Sequence, residues 1–130
     1  MILGFDPGRD KCGIAVLNSA REILVHLVVS ATEAIATIEL LLKQYPIEVM
    51  VIGNLTTAKT WREQLQANFP ELQLAMIDES YSTLEARTRY WQMYPPQGLT
   101  RLLPPGARIP PRPIDDIVAI ILIERYLAKP

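Results

Sequence analysis

Cysteine and histidine are nearly missing from this chain. The single cysteine, Cys12, cannot close an internal disulfide, and the single histidine, His26, leaves no Cys/His cluster to hold zinc. Long hydrophobic runs are missing as well: stretches such as VMVIG and IVAIILI fall far short of the ~20 residues that span a membrane. The opening MILGFD carries no basic n-region or cleavage site, so no signal peptide and a cytoplasmic location are expected. Internal repeats are absent too, and 130 residues are expected to form one domain, 1–130, with a core of its own. With 49% hydrophobic and 21% charged residues, that domain is globular rather than disordered.

Acid is missing from one long stretch. Between Arg87 and Ile114 stand five arginines (Arg87, Arg89, Arg101, Arg108 and Arg112) and no Asp or Glu. The net charge of the whole chain is −1, so the remainder carries −6. Local positive charge, more than the total, attracts a polyanion. The same stretch holds Tyr90, Trp91 and Tyr94, which suit either stacking on unpaired bases or packing of a helix.

What is present reads as alternating elements. ILGF and KCGIAVLN form two strands around an Asp-Pro-Gly turn, and EILVHLVVS (22–30) a third, joined by connections short enough for an antiparallel meander. After Thr32, Ile35, Ile38, Leu41 and Leu42 recur at helical spacing until Pro46. EVMVIG (48–53) is a buried strand, 59–68 a second helix, and QLAMIDE (73–79) a fifth strand. Ser82 and Glu85 offer a capping box for a third helix. Residues 95–113 hold seven of the eleven prolines, which excludes helix or central strand there and marks a long functional loop. IDDIVAIILIERYL is a terminal helix that must pack on the sheet. This order gives an α/β fold: a five-stranded mixed sheet, three strands antiparallel and then two parallel, with helices on both faces. The C-terminal ends of strands one, four and five then share one edge, at the switch point where such folds place their sites.

Acids collect on that edge. Asp6 ends the first strand, Asp78-Glu79 the fifth, and Asp115-Asp116 open the last helix. Each has an ordinary role available, in a turn or at a helix start. Together they repel one another unless a cation lies between them, and carboxylates are hard ligands suited to Mg²⁺ or Mn²⁺. Two such ions about 4 Å apart can activate water against a phosphodiester. Strand alternation and the ~100° step of a helix mean that neither doublet points both its carboxylates into one site. His26, mid-strand among Val and Leu, reads as a satisfied side chain rather than a ligand, and Trp61 as a packing anchor.

Four blocks in order, D-P-G-x-x-x-x-G-I-A-V at 6–16, V-I-G at 51–53, D-E-x-x-S-T-x-E-A-R at 78–87 and D-x-x-x-A-x-I-L-x-E-x-Y at 115–126, resemble the YqgF family. That family has an RNase H-like fold related to the RuvC Holliday-junction resolvase, and its members are described as resolvases and as nucleases maturing the 5′ end of pre-16S ribosomal RNA. The resemblance implies that Asp6, Glu79 and Asp115 are catalytic, metal-binding acids, with Asp116 as a helper at the metal. It places Lys11 and Arg87 at basic family positions, and Arg87, Arg89, Arg101, Arg108 and Arg112 would grip the backbone. The implied partner is structured RNA or branched DNA, the implied cofactor Mg²⁺ or Mn²⁺, and the implied assembly a monomer or homodimer, away from membranes.

The chain departs from the family pattern at several points. Asn54-Leu55-Thr56-Thr57 replaces a Leu-Pro-Leu loop, Ser80 replaces the basic residue of D-E-R, Asn54 stands where the resolvase has a fourth acid, and the loop before the last helix is proline-rich. These departures support a second reading, an RNase H-like binding or ribosome-assembly module with weak or lost catalysis. A third, an actin- or Hsp70-type ATPase suggested by D-P-G-x-x-x-x-G, needs two duplicated domains that 130 residues cannot supply.

Overall fold

β-branched and apolar residues dominate the first thirty positions, and the chain folds them into three consecutive strands: β1 (Ile2–Asp6), β2 (Lys11–Leu17) and β3 (Ile23–Ser30). The structure, a computed structural model, describes residues 1–54 and 58–128. β1 and β2 pair antiparallel with Ile2 opposite Leu17 and Asp6 opposite Gly13. β3 pairs antiparallel with β2, with a register shift at Val16/Leu17. β4 (Val49–Gly53) lies parallel to β1, and β5 (Gln73–Ile77) parallel to β4, giving the order β3-β2-β1-β4-β5. The expected mixed sheet and its central first strand are therefore observed.

Helices α1 (Ala34–Gln44) and α2 (Ala58–Asn68) cover one face. Alternation turns Leu3 and Phe5 of β1, Ile14 and Val16 of β2, and Met50 and Ile52 of β4 toward them, against Ile38, Leu41 and Leu65. Trp61 anchors α2 as expected, its ring edge-on to Phe5 at 5.1 Å. The opposite face takes α3 (Ser82–Met93) and α4 (Asp115–Ala128). Residues 117–123 of α4 are buried throughout, because the helix is wedged between the sheet and α3. No helix among the described residues is long and apolar enough to cross a membrane.

A 3₁₀ turn, Ala31–Glu33, precedes α1, and the Thr32 hydroxyl lies 3.1 Å from that of Ser30. Two local expectations need correction. β5 stops at Ile77, so Asp78 and Glu79 lie in a turn where strand alternation does not fix their directions. The capping box of α3 does not form, since Ser82 is already inside the helix and buried, and Glu85 accepts from Arg125 at 2.8 Å. The proline-rich stretch holds two 3₁₀ turns, Gly98–Leu102 and Pro105–Ala107, and no α-helix or strand. Of the loop after β4, Leu55, Thr56 and Thr57 lie outside the described residues.

Candidate functional site

Ile2, Gly4 and Asp6 alternate onto the α4 side of the sheet, so the acid that ends β1 emerges beneath the start of α4. The helix comes close because β2 carries glycine there. A Cβ on Gly13 would collide with the Asp115 carbonyl. Glu79 reaches the same place from the turn after β5 and is only 6% exposed. Its carboxylate lies against Gly53, at the end of β4, where any Cβ would strike it. Two glycines thus make room for two acids.

The turn that carries Glu79 is braced at several points. Asp78 accepts from the backbone N–H of Ser80 at 3.0 Å and from its hydroxyl at 2.7 Å. Arg125 of α4 donates to the Asp78 carbonyl and to Glu85, both at 2.8 Å. Although Ser80 has replaced the family's basic residue, a guanidinium still supports this turn from α4. Ser82 N–H donates to the Glu79 carbonyl at 3.0 Å, and Tyr81 sits between them at a left-handed φ of 61°. Such a backbone costs a non-glycine residue about 1–2 kcal/mol and persists only where its surroundings impose it.

Asp6, Glu79 and Asp115 line one cleft of about 430 Å³, together with Tyr81, Ser82 and Thr83. Asp6 hydrogen-bonds to both Glu79 and Asp115. Burial first, then the charges of Glu79 and Asp115, raise its pKa from 3.8 to about 8. Asp115 is also raised, chiefly by burial; its backbone hydrogen bond, its bond to Asp6 and the charge of Lys11 oppose the shift, while Asp116 adds to it. The positive ends of the α3 and α4 dipoles meet here and offset part of the negative charge.

Among the described residues, no three of the His, Cys, Asp and Glu side chains stand as a ready metal cage. Glu79 and Asp115 both act on Asp6 to disfavour its charged form, so a cation at this place would relieve the repulsion among the three carboxylates. The donor set is chemically suited to a hard divalent ion: three carboxylates at an open cleft, with the one thiol turned to the Gly8 carbonyl.

Asp116, expected beside Asp115 as a further ligand, serves elsewhere. One of its oxygens is 2.7 Å from His26 Nδ1 and the other 3.1 Å from Arg112 Nη1, and the residue is 2% exposed. His26 is thus a satisfied side chain, as expected, but its partner was not legible in the sequence. Lys11 does approach the cleft, close enough for its charge to act on Asp115. The five arginines separate into groups. Arg89 makes a two-pronged bond to Glu124 at 3.0 and 2.7 Å, and Arg112 lies over the Tyr90 and Tyr94 rings at 5.4 and 5.6 Å besides holding Asp116. Arg87 and Arg108 line a second cavity beside α3, and Arg101 is exposed. Sequence reasoning missed Gly53, Tyr81 and Ser82 at the acid cleft; of these only Gly53, a glycine closing a buried strand, carried a signal.

The family model "RuvX: Holliday junction resolvase" matches residues 1–129. A "Putative pre-16S rRNA nuclease" of Coxiella burnetii (strain CbuK_Q154) is 28% identical over 98% of this chain and 92% of its own length. The same protein of strain RSA 493 is 27% identical over the same shares. Among solved structures, Thermus thermophilus RuvC superposes with a TM-score of 0.54 over 97% of this chain and 94% of that one, at 13% identity, which establishes a RuvC-like, RNase H-like fold. A sugar kinase structure from Cytophaga hutchinsonii gives a TM-score of 0.48 at 18% identity over 67% of this chain and 38% of that one, too distant to argue from.

Proposed function

Because the chain belongs to the RuvX family of Holliday junction resolvases, we propose that it is a divalent-metal-dependent endonuclease acting on structured nucleic acid. The substrate is pre-16S rRNA, which the Coxiella relatives are named for, cut at its 5′ end, or a four-way junction, which the family is named for. One observation carries the reading: Asp6, Glu79 and Asp115 come from three separate elements into one solvent-open cleft. Acids brought together at this electrostatic cost have a use for their charge. The reading takes residues 1–130 as one domain, acting as a monomer or homodimer in the cytoplasm.

Asp6, Glu79 and Asp115 would hold Mg²⁺ or Mn²⁺. When bound, the ion supplies an activated water and charge neutralisation at the phosphodiester. The chain's own residues do the rest. To hold the ion Asp6 would have to be ionised, so binding would be favoured as pH rises through its pKa of about 8. Gly53 and the Asp78–Arg125 brace hold Glu79 in place. Lys11 beside Asp115 keeps a positive charge at the mouth, and Arg87, Arg101 and Arg108 meet backbone phosphates. Arg89 and Arg112 act mainly as internal ties.

The second reading, a binding module with weak or lost catalysis, is favoured by Asn54, which follows Gly53 at the end of β4 and offers no carboxylate. Cleavage separates the two. The wild type and Asp6→Asn are incubated with a pre-rRNA leader and a four-way junction in Mg²⁺ or Mn²⁺. The nuclease reading predicts cleavage of at least one substrate by the wild type and a loss of about 100-fold or more in the variant. No cleavage of either by the wild type, or equal cleavage by the variant, refutes it.

A further inference from the structure

A second cavity, of about 370 Å³, lies between α3 and the proline-rich segment, and the acids play no part in it. Arg87, Thr88, Trp91 and Gln92 form its α3 wall, and Arg108 closes it from the segment. Every polar side chain named there is a donor or can act as one, and no acid lines the space. Neither arginine is paired with a carboxylate among the described residues, in contrast to Arg89 and Arg112. Among the described residues Arg108 donates to the Arg101 carbonyl, through Nη2 at 3.3 Å.

Two donors here are left without acceptors. Among the described residues, the buried side-chain polar atoms lacking a hydrogen bond are Trp91 Nε1 and Arg108 Nε. Both belong to walls of this one cavity. Buried donors are nearly always paired, and an orphan calls for an explanation. Two orphan donors, one on the Trp91 indole and one on the Arg108 guanidinium, with the Arg87 guanidinium on the same lining, call for an acceptor-rich ligand with a flat face. A phosphate attached to a base has both features.

The cavity's position says where that nucleotide comes from. Leu84 lines both this cavity and the acid cleft. From Leu84 to Trp91 the helix rises about 10 Å at 1.5 Å per residue, roughly three nucleotide steps at 3.4 Å each. A strand with its scissile phosphate at the acids therefore passes this cavity within a few nucleotides. A base in a duplex is stacked on both faces and cannot lie against Trp91, so the nucleotide must be unpaired.

We infer that this cavity is a pocket for one unpaired nucleotide of the substrate, its phosphate held by Arg87 and Arg108 and its base against Trp91. The inference rests on the nuclease reading for the identity of the strand and deepens it: the substrate has a single-stranded flank near the cut. The test uses the full chain in EDTA, where no cleavage occurs, and follows tryptophan fluorescence. Inorganic phosphate, uridine 5′-monophosphate, a six-nucleotide single strand and a duplex of equal length are titrated separately. The pocket predicts quenching that strengthens from phosphate to mononucleotide to single strand. Trp91→Phe should abolish the quenching, leaving Trp61, which packs on Phe5. Arg108→Gln and Arg87→Gln, each with an unchanged circular dichroism spectrum, should weaken single-strand binding about tenfold.

Quenching that persists in Trp91→Phe, arginine variants that bind as well as the wild type, or no quenching by any probe overturns the pocket. Phosphate bound as tightly as the mononucleotide overturns its nucleotide character, and a duplex bound as tightly as the single strand overturns the unpaired flank. The two readings fail separately. A chain that cleaves nothing but keeps Trp91-dependent binding loses the nuclease reading alone. One that cleaves equally well with Trp91→Phe and Arg108→Gln loses the pocket alone.

Discussion

His26 Nδ1 lies 2.7 Å from Asp116 Oδ2, joining the third strand to the last helix across ninety positions of sequence. The bond separates two adjacent acids by role: Asp116 is fixed by His26 and Arg112, while Asp115 looks into the cleft. Asp116→Asn should therefore cost stability rather than metal. Loosening a buried, doubly bonded carboxylate costs about 2–4 kcal/mol, the lower end applying because His26 and Arg112 are partly exposed. Urea unfolding should show this loss, while Mn²⁺ affinity of the folded variant stays within about threefold of wild type.

Gly53 should be intolerant for a reason visible only in the site. An alanine methyl would occupy the space of the Glu79 carboxylate. Gly53→Ala is expected to keep its circular dichroism spectrum and to lose about 100-fold or more in cleavage, since misplacing a reacting group by about 1 Å is already costly. Unchanged cleavage would show that Glu79 does not depend on this contact.

Stability without metal should fall with rising pH. Native Asp6 keeps its proton up to about pH 8, whereas the unfolded chain releases it near 3.8. The native state thus binds more protons between these values, and linkage makes stability decline across that window. Asp6→Asn has no proton to release on unfolding. Its stability should match the wild type near pH 4 and exceed it by several kcal/mol at pH 8, about 1.4 kcal/mol for each pH unit between the two values. Mg²⁺ added at pH 8 should raise the melting temperature of the wild type and leave the variant unchanged. Thermal scans in EDTA and in Mg²⁺ read all three outcomes.

The arginines should divide in the same way. Arg89→Ala breaks the bond to Glu124, a partly exposed pair, and should cost about 1 kcal/mol of stability with little effect on nucleic-acid affinity. Arg87→Ala should do the reverse, weakening binding and lowering the salt slope by about one. Unfolding curves and binding isotherms at several salt concentrations distinguish them.

Much of this was legible in the residues. Two short strands around Asp-Pro-Gly and the βαβ alternation that follows dictate the sheet order, and with it the edge on which Asp6 and Glu79 meet. Local pattern could not separate Asp115 from Asp116, because the distinction depends on His26, a partner ninety residues away. Nor could it show that β5 ends before Asp78, or that Ser82 is buried within α3 rather than capping it. The arginine cluster looked uniform for the same reason: Glu124 claims Arg89 only once α3 and α4 are packed together.

The central claim is that Asp6, Glu79 and Asp115 form one divalent-cation site. Calorimetric titration of the metal-free protein with Mn²⁺ at pH 8 tests it most directly. Saturable binding, lost in Asp6→Asn and in Asp115→Asn but kept in Asp116→Asn, is the result this account predicts. Absence of Mn²⁺ binding by the wild type, or equal affinity in all three variants, would contradict it.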